Sequence, residues 1–439
     1  MTDKRLISYR YMALRACTAA GTLGAGLLQT FVFARVLGPE RFSLFIFFAA
    51  LGYTLYSADV GMVKVLFVDL RRRFLLNEPL DLAAGQATAI FLLYSALVAL
   101  AALICFYAIV HFHHSTRDGI ELTLFFVFNA INLPWFALRY FSIAIDEYVY
   151  FEMLEAFRRG FNTAALLALL FGLPEFVFLL AINIGWIVNI LLAIVRLRQR
   201  RALVGNLRGS LTCLVAFLRG NKRKIVSSAV YAISETYIYN FPYFLVPWAF
   251  GLGAPTIILD TTFKVYRVAN QFYSAVCDAL LPRQTSALAE RDGPAMIRAT
   301  WLAAALCAIP AAGVSGILLL AGAKVFAILL GPAAVMPSAA TPIIIMLLFG
   351  NLAQMVSHSV LVHTGFFRDI ARISFAVAAA LTVTAGVAVW TGFDIVQFLN
   401  AYTAVYTCGA IATIGLMIRG PVRLAHEGTA APSSAMIGQ

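Results

Sequence analysis

The sequence predicts an all-α polytopic membrane protein of about twelve spanning helices, and three observations predict it. The first is composition: of 439 residues, 62% are hydrophobic and 12% charged. The mean hydropathy is +0.86. An ordinary globular domain is roughly 45–50% apolar and about 25% charged, so no water-soluble fold of this length hides so much apolar surface. The second is run length: the apolar residues form stretches of about twenty, enough for a helix to cross a hydrocarbon core of roughly 30 Å. The third is charge asymmetry. With the N-terminus inside, 27 of the 33 Lys and Arg fall on the cytoplasmic side, and only Arg35, Arg41, Arg117 and Lys324 on the other. By the positive-inside rule this bias places both termini in the cytoplasm.

The spans follow in order. The first, near 12–34, ends in Arg35-Val36-Leu37-Gly38-Pro39; it is too long for a cleavable signal peptide and reads as a span itself. The second, near 43–63, closes on Ala58-Asp59-Val60-Gly61, and the third occupies 83–110. The fourth, 120–140, carries Asn129, Asn132 and Arg139 on one face. The fifth, 154–173, requires Arg158 and Arg159 to snorkel at its end, and the sixth runs over 174–195. The stretch 196–224 holds nine Lys or Arg with leucines at helical spacing (Leu203, Leu207, Leu211, Leu214, Leu218), as expected of an amphipathic helix on an anionic leaflet. The remaining spans lie near 225–248, 257–281, 299–321, 340–362, 373–391 and 397–418. The expected organisation is a six-helix lobe (1–195), a basic linker (196–224), a second six-helix lobe (225–418) and a cytoplasmic tail (419–439). The similar openings of the two halves, Arg35 to Pro39 and Phe250-Gly251-Leu252-Gly253-Ala254-Pro255, hint at the paired repeats of secondary transporters.

Several function classes are excluded or disfavoured. The net charge of +12 is spread over the chain without a zinc-finger or RNA-binding signature, so nucleic acid is not the expected partner. There is no Gly-Lys-Ser/Thr phosphate loop for ATP, and no connecting segment is large enough to be an enzyme domain. The six cysteines show no paired spacing and are expected to be packing residues, while His111, His113 and His114 sit in a short loop without nearby Cys or carboxylates. No metal or cofactor is expected.

The chemistry-bearing pattern lies in the eighth span. Asp260, Lys264, Arg267, Gln271 and Asp278 recur at i, i+4, i+7, i+11 and i+18. At about 100° per residue they share an arc of roughly 60°. Charged side chains cost about 2.5–3.5 kcal/mol at a helix centre, so such a face is expected to line a wet cavity instead of lipid. The seventh span offers Ser228, Tyr231, Glu235 and Tyr239 at i, i+3, i+7 and i+11, with Glu235 and Arg267 each about 15 Å from a helix end. On the functional reading Arg267 and Lys264 hold an anionic headgroup while Glu235 or Asp260 exchanges a proton or cation. On the structural reading Glu235 pairs with Arg267, and Asp260 with Lys264. Thr18, Thr22 and Gln29 in the first span and Asn351, Gln354 and His358 in the tenth form weaker polar faces, which serve equally well as interhelical hydrogen-bonding groups.

Arg35-Val36-Leu37-Gly38-Pro39-Glu40-Arg41-Phe42 followed by Ala58-Asp59-Val60-Gly61 resembles the opening of Wzx-type polysaccharide flippases of the multidrug/oligosaccharidyl-lipid/polysaccharide (MOP) exporter superfamily. The second half is similar in outline: Glu235 in the seventh span, Tyr266-Arg267-Val268-Ala269 in the eighth, Leu281-Pro282 at its end, and Leu329-Leu330-Gly331-Pro332 before the tenth. Ser43 stands where the family favours Gly, and Glu235 where Asp is commoner. The resemblance implies a MATE/MOP-like fold and outward flipping of an undecaprenyl-diphosphate-linked oligosaccharide across the bacterial inner membrane. It also implies alternating access around a cationic cavity, in surface polysaccharide biosynthesis of the O-antigen or exopolysaccharide kind. Arg267, Lys264, Arg35 and Arg139 are the expected cavity cations, Asn129, Gln271 and Tyr231 further substrate contacts, and Glu235 and Asp260 the coupling carboxylates. Expected partners are the lipid-linked substrate, membrane lipids, and a polysaccharide polymerase or chain-length regulator. A cation-coupled multidrug antiporter is the alternative within the superfamily, and a membrane glycan polymerase or ligase the alternative outside it.

Overall fold

The structure is a computed structural model, and it describes residues 18, 21, 24–113, 115–204, 207–289, 292–363 and 366–422. Side chains of Ser228, Asp278, Leu207, Leu211, Leu281 and Pro282, and the whole of Thr22, His114 and the tail beyond Val422, fall outside the described set. Among the described residues every regular element is a helix. In chain order these are α1 (Gly24–Val36), α2 (Pro39–Thr54) running into a 3₁₀ turn (Leu55–Asp59), α3 (Met62–Leu75), α4 (Asp81–His113), α5 (Thr116–Ala130), α6 (Asn132–Ala144), α7 (Tyr148–Leu170), α8 (Glu175–Gln199), α9 (Leu207–Gly220), α10 (Lys222–Phe250), α11 (Ala254–Ala289), α12 (Gly293–Leu330), α13 (Ala340–His363), α14 (Phe367–Thr391) and α15 (Ile395–Met417). Eight of the helical stretches are long and apolar enough to cross a membrane. The charged α7, the α10 with its basic start and the α11 have the length too, at 23, 29 and 36 residues. The chain is an all-α polytopic membrane protein.

Contacts group residues 1–257 into one compact unit and 258–439 into another. Helix α10, expected to open the second lobe, is thereby counted with the first. It packs on α2, where Phe244 meets Phe47 edge to face at 5.7 Å. Beyond its end, the Gly253 N–H donates to Ser43 Oγ at 3.0 Å. A glycine at position 43 would lack that acceptor.

Within the first unit, one aromatic cluster joins four helices. Phe33 of α1 makes edge contacts with Phe42 and Phe45 of α2, Phe125 of α5 and Phe178 of α8, at centroid distances of 5.4 to 6.1 Å. Helices α2 and α5 approach closely because Gly52 has no side chain; a Cβ there would lie 2.8 Å from Asn129 Cβ. The linker is bound to α4: Val204 N–H donates to Thr88 Oγ1 at 2.9 Å, and Leu214 and Phe217 of α9 are buried. Val215 and Leu218 remain exposed, so only part of the amphipathic apolar face is left for lipid.

The Asp59 motif makes the elbow between α2 and α3. Val60 and Gly61 have φ of 40° and 79°, a left-handed pair that interrupts the helix between α2 and α3. Asp59 then accepts from the N–H groups of Gly61 (3.1 Å) and Val63 (3.0 Å), capping the start of α3.

In the second unit, α15 packs on α13 and α14 through small residues. A Cβ at Gly409 would meet Val377 Cγ2 at 2.4 Å, and Ser357 donates to Thr413 Oγ1 at 2.9 Å. Phe263 and Tyr266 of α11 pack against Tyr402 and Tyr406 of α15, with the hydroxyls of Tyr266 and Tyr406 2.9 Å apart. Cys277 and Cys307 lie in the α11–α12–α13 packing, each donating weakly to a neighbouring backbone carbonyl.

Candidate functional site

The polar face of α11 emerges from the core by degrees. Asp260 is buried, Lys264 and Arg267 are half-buried, and Gln271 is exposed. Lys264 Nζ lies 2.6 Å from Asp260 Oδ2, one helical turn back, which is the pair anticipated on the structural reading. The Lys264 side chain retains 20% exposure, so the ammonium sits at the edge of the packing. Asn351 of α13 donates to the Tyr266 carbonyl at 3.4 Å, one residue before Arg267. Glu235, Tyr231 and Tyr239 are half-buried on α10 in the first unit, whereas Arg267 belongs to the second.

The other expected residues belong to the first unit. Arg35 is exposed at the end of α1, its guanidinium 3.5 Å over the ring of Phe31 and donating to the Phe31 carbonyl at 3.0 Å. Asn129 is buried and donates to the Phe125 carbonyl of its own helix at 2.8 Å. Arg139 of α6 pairs with Glu152 of α7 at 2.7 Å.

The Arg139–Glu152 pair borders a buried charge cluster on α7, whose arginines the sequence analysis names and whose carboxylates it does not. Arg158 does not snorkel: it is 7% exposed. Helix α7 begins at Tyr148, six residues before the expected span, which sets Arg158 about 15 Å inside the helix. Its Nε and Nη2 donate to both oxygens of Glu155, at 3.1 and 2.6 Å. Its guanidinium carbon also lies 3.9 Å over the Trp186 ring of α8. Arg159 donates to Glu155 Oε1 at 2.8 Å and to the Thr18 carbonyl at 3.4 Å. The signal was present as Glu155-x-x-Arg158-Arg159, the i,i+3 and i,i+4 spacing of helical ion pairs.

A further cluster closes one end of the first unit. Arg41 is held by Asp118 (2.6 Å), Glu175 (2.8 Å) and Glu121, and Arg117 joins Glu121 at 3.0 Å. Thus two of the four basic residues on the sparsely charged side are locally neutralised. Near the other end of α8, Arg196 donates to Glu147 at 2.9 Å, and Arg71 of α3 donates to Asp146 at 2.7 Å, both carboxylates lying in the α6–α7 connection.

The helices of the two units make an all-α membrane protein, and its fold is shared by MATE transporters. Structures sharing it include the Vibrio cholerae MATE transporter VcmN, at a TM-score of 0.63 and 11% identity over 95% of this chain and 97% of that one. A multidrug-resistance MATE family transporter of the MOP superfamily in its inward-facing conformation matches at 0.62 and 13%, over 95% and 100%. A MOP superfamily transporter from Pyrococcus furiosus, described as having a binding pocket of reverse polarity that suggests a different function, matches at 0.59 and 13%, over 95% of each chain. No protein-family model and no curated protein matches the sequence. At such identities the likeness is one of fold.

Proposed function

We propose that this chain is an exporter that works by alternating access, and that its cargo is an undecaprenyl-diphosphate-linked oligosaccharide flipped outward for surface polysaccharide assembly. The observation that carries this reading is the store of cations inside the spanning helices: Arg139, Arg158 and Arg159 in the first unit, Lys264 and Arg267 in the second. Ionisable groups at that depth are expensive in lipid and mark a path for charge. The MATE fold and the motif resemblance to polysaccharide flippases support it. In this reading both termini are cytoplasmic, the membrane is the bacterial inner membrane, and the protein transports without acting as an enzyme. A polymerase or chain-length regulator takes up the product. Outward movement of each negative charge from a negative interior gains about 2.3 kcal/mol per 100 mV, so a diphosphate head is drawn in the required direction.

Arg267, Lys264, Arg35, Arg139, Asn129, Gln271 and Tyr231 are assigned to the substrate in this reading. Glu235 and Asp260 are assigned to coupling. The test is reconstitution in vesicles with a lipid-linked oligosaccharide and a membrane-impermeant lectin: the lectin should reach sugar delivered to the far leaflet. Export of organic cations with no saccharide movement would replace this reading by a cation-coupled multidrug antiporter, which the multidrug-resistance neighbours favour. Sugar transfer by the isolated chain would replace it by a glycan polymerase or ligase.

A further inference from the structure

Helix α7 and its neighbours concentrate charge in a way that packing does not require. Among the described residues, the guanidinium groups of Arg139, Arg158 and Arg159 gather around the carboxylates of Glu152 and Glu155, which are 4% and 7% exposed. We propose that the three arginines form a binding site for a diphosphate group, in which Glu155 is the resident counter-ion that the ligand displaces. The proposal rests on the anionic-cargo reading above and assigns the head group of that cargo to the first unit.

The geometry around Glu155 is that of an occupied oxyanion site. Oε1 lies 2.6 Å from a nitrogen of Arg158 and 2.6 Å from one of Arg159, while Oε2 takes the Arg158 Nε–H at 3.1 Å. A planar guanidinium fork accepts carboxylate and phosphate oxygens with the same two-point fit, so the donors around Glu155 suit either anion. The i,i+3 and i,i+4 spacing keeps the arginines assembled, because uncompensated they repel one another at low dielectric. A diphosphate brings more charge and more acceptor oxygens than one carboxylate, so it competes for the same forks. Burial is graded across the cluster: the Arg158 and Glu155 side chains are 9% and 10% exposed, those of Arg159 and Arg139 22% and 35%.

Two buried amides supply an independent sign of a ligand. Asn162, one turn beyond Arg158 on α7, is 9% exposed and its Oδ1 has no hydrogen-bond partner. Asn189, three residues beyond Trp186 on α8, is fully buried with neither amide atom partnered. Buried polar groups left unsatisfied are rare and call for an explanation. A phosphate oxygen would take the Asn189 Nδ2–H, and a sugar hydroxyl would satisfy the amide oxygens.

The test uses the full chain in detergent, titrated calorimetrically with farnesyl diphosphate and with inorganic diphosphate. Trp186 fluorescence follows the same titration, because displacing Arg158 from its ring changes the indole environment. Removing the resident anion in Glu155→Gln should tighten binding by about tenfold, as the loss of a competing charge pair predicts, and Arg159→Gln should weaken it by about tenfold or more. A purely structural ion pair gives the opposite sign for Glu155→Gln. Binding of both probes, or of farnesyl diphosphate alone, supports the site; the second result shows that the lipid chain is recognised with the head. Unchanged or weaker binding in a monodisperse Glu155→Gln protein overturns the proposal, as does wild-type binding in Arg159→Gln, the variant on the exposed rim. If Arg159→Gln binds like the wild type while the wild type still flips lipid-linked saccharide in vesicles, this site falls and the export reading stands. Tightening in Glu155→Gln without any flipping has the reverse meaning.

Discussion

The hydroxyl of Tyr94 on α4 donates to Asp59 Oδ1 at 2.6 Å, tying the elbow between α2 and α3 to a third helix. Asp59 is 7% exposed and Tyr94 fully buried, so the carboxylate is satisfied by one hydroxyl and two backbone amides. Tyr94→Phe removes a hydrogen bond to a charged group and should cost about 1.5–3 kcal/mol. Gly61→Val, at φ 79°, should cost more than Gly61→Asn, because a β-branched residue tolerates the left-handed region least. Thermal unfolding of the purified protein in detergent checks both; wild-type midpoints would remove Asp59 from its capping role.

Arg41 joins the starts of α2, α5 and α8 by contacting Asp118, Glu121 and Glu175. Arg41→Gln leaves three carboxylates facing one another, and Glu121 is only 3% exposed. The expected loss is about 2–4 kcal/mol, reduced from the fully buried case because the Arg41 side chain keeps 22% exposure. Arg41→Lys should fail to restore stability, since a single ammonium cannot span the three acceptors. The melting midpoints of the two variants, measured at low and high salt, decide the matter.

On α11 and α10 the predictions concern transport. Arg267→Ala should lower export while the protein stays inserted and abundant, as judged by immunoblot of membranes beside the vesicle assay. Full export in that variant would show the residue to be dispensable. Glu235→Gln should flatten the pH or cation dependence of transport, and an unaltered profile would remove it from the coupling role.

Helix α15 meets α14 at Gly409, where a Cβ would come within 2.4 Å of Val377 Cγ2. Gly409→Leu should therefore separate the helices and cost about 1–3 kcal/mol. Val377→Ala in the same chain should recover part of the loss. Additive losses in the double variant would show that the two residues do not share the contact.

Much of the fold was legible in advance because its causes are local. A run of twenty apolar residues needs no knowledge of its neighbours to be a spanning helix, and the face bearing Asp260, Lys264, Arg267 and Gln271 follows from helical period alone. The Asp260–Lys264 pair is an i,i+4 contact and could be named from spacing. Arg158 was misjudged for a local reason as well: placing the start of its helix six residues late made a deep residue look terminal.

Nothing in the order of residues, by contrast, says that Arg41 meets Glu175, that Arg139 meets Glu152, or that Arg158 lies over Trp186. Those partners are 134, 13 and 28 residues apart, and each pairing depends on which helix faces are turned together. The sequence by itself determined that the chain spans a membrane and that it carries charge within its helices. Only the tertiary structure decided which carboxylate neutralises which guanidinium, because helix formation is governed by neighbours along the chain and side-chain pairing by neighbours in space.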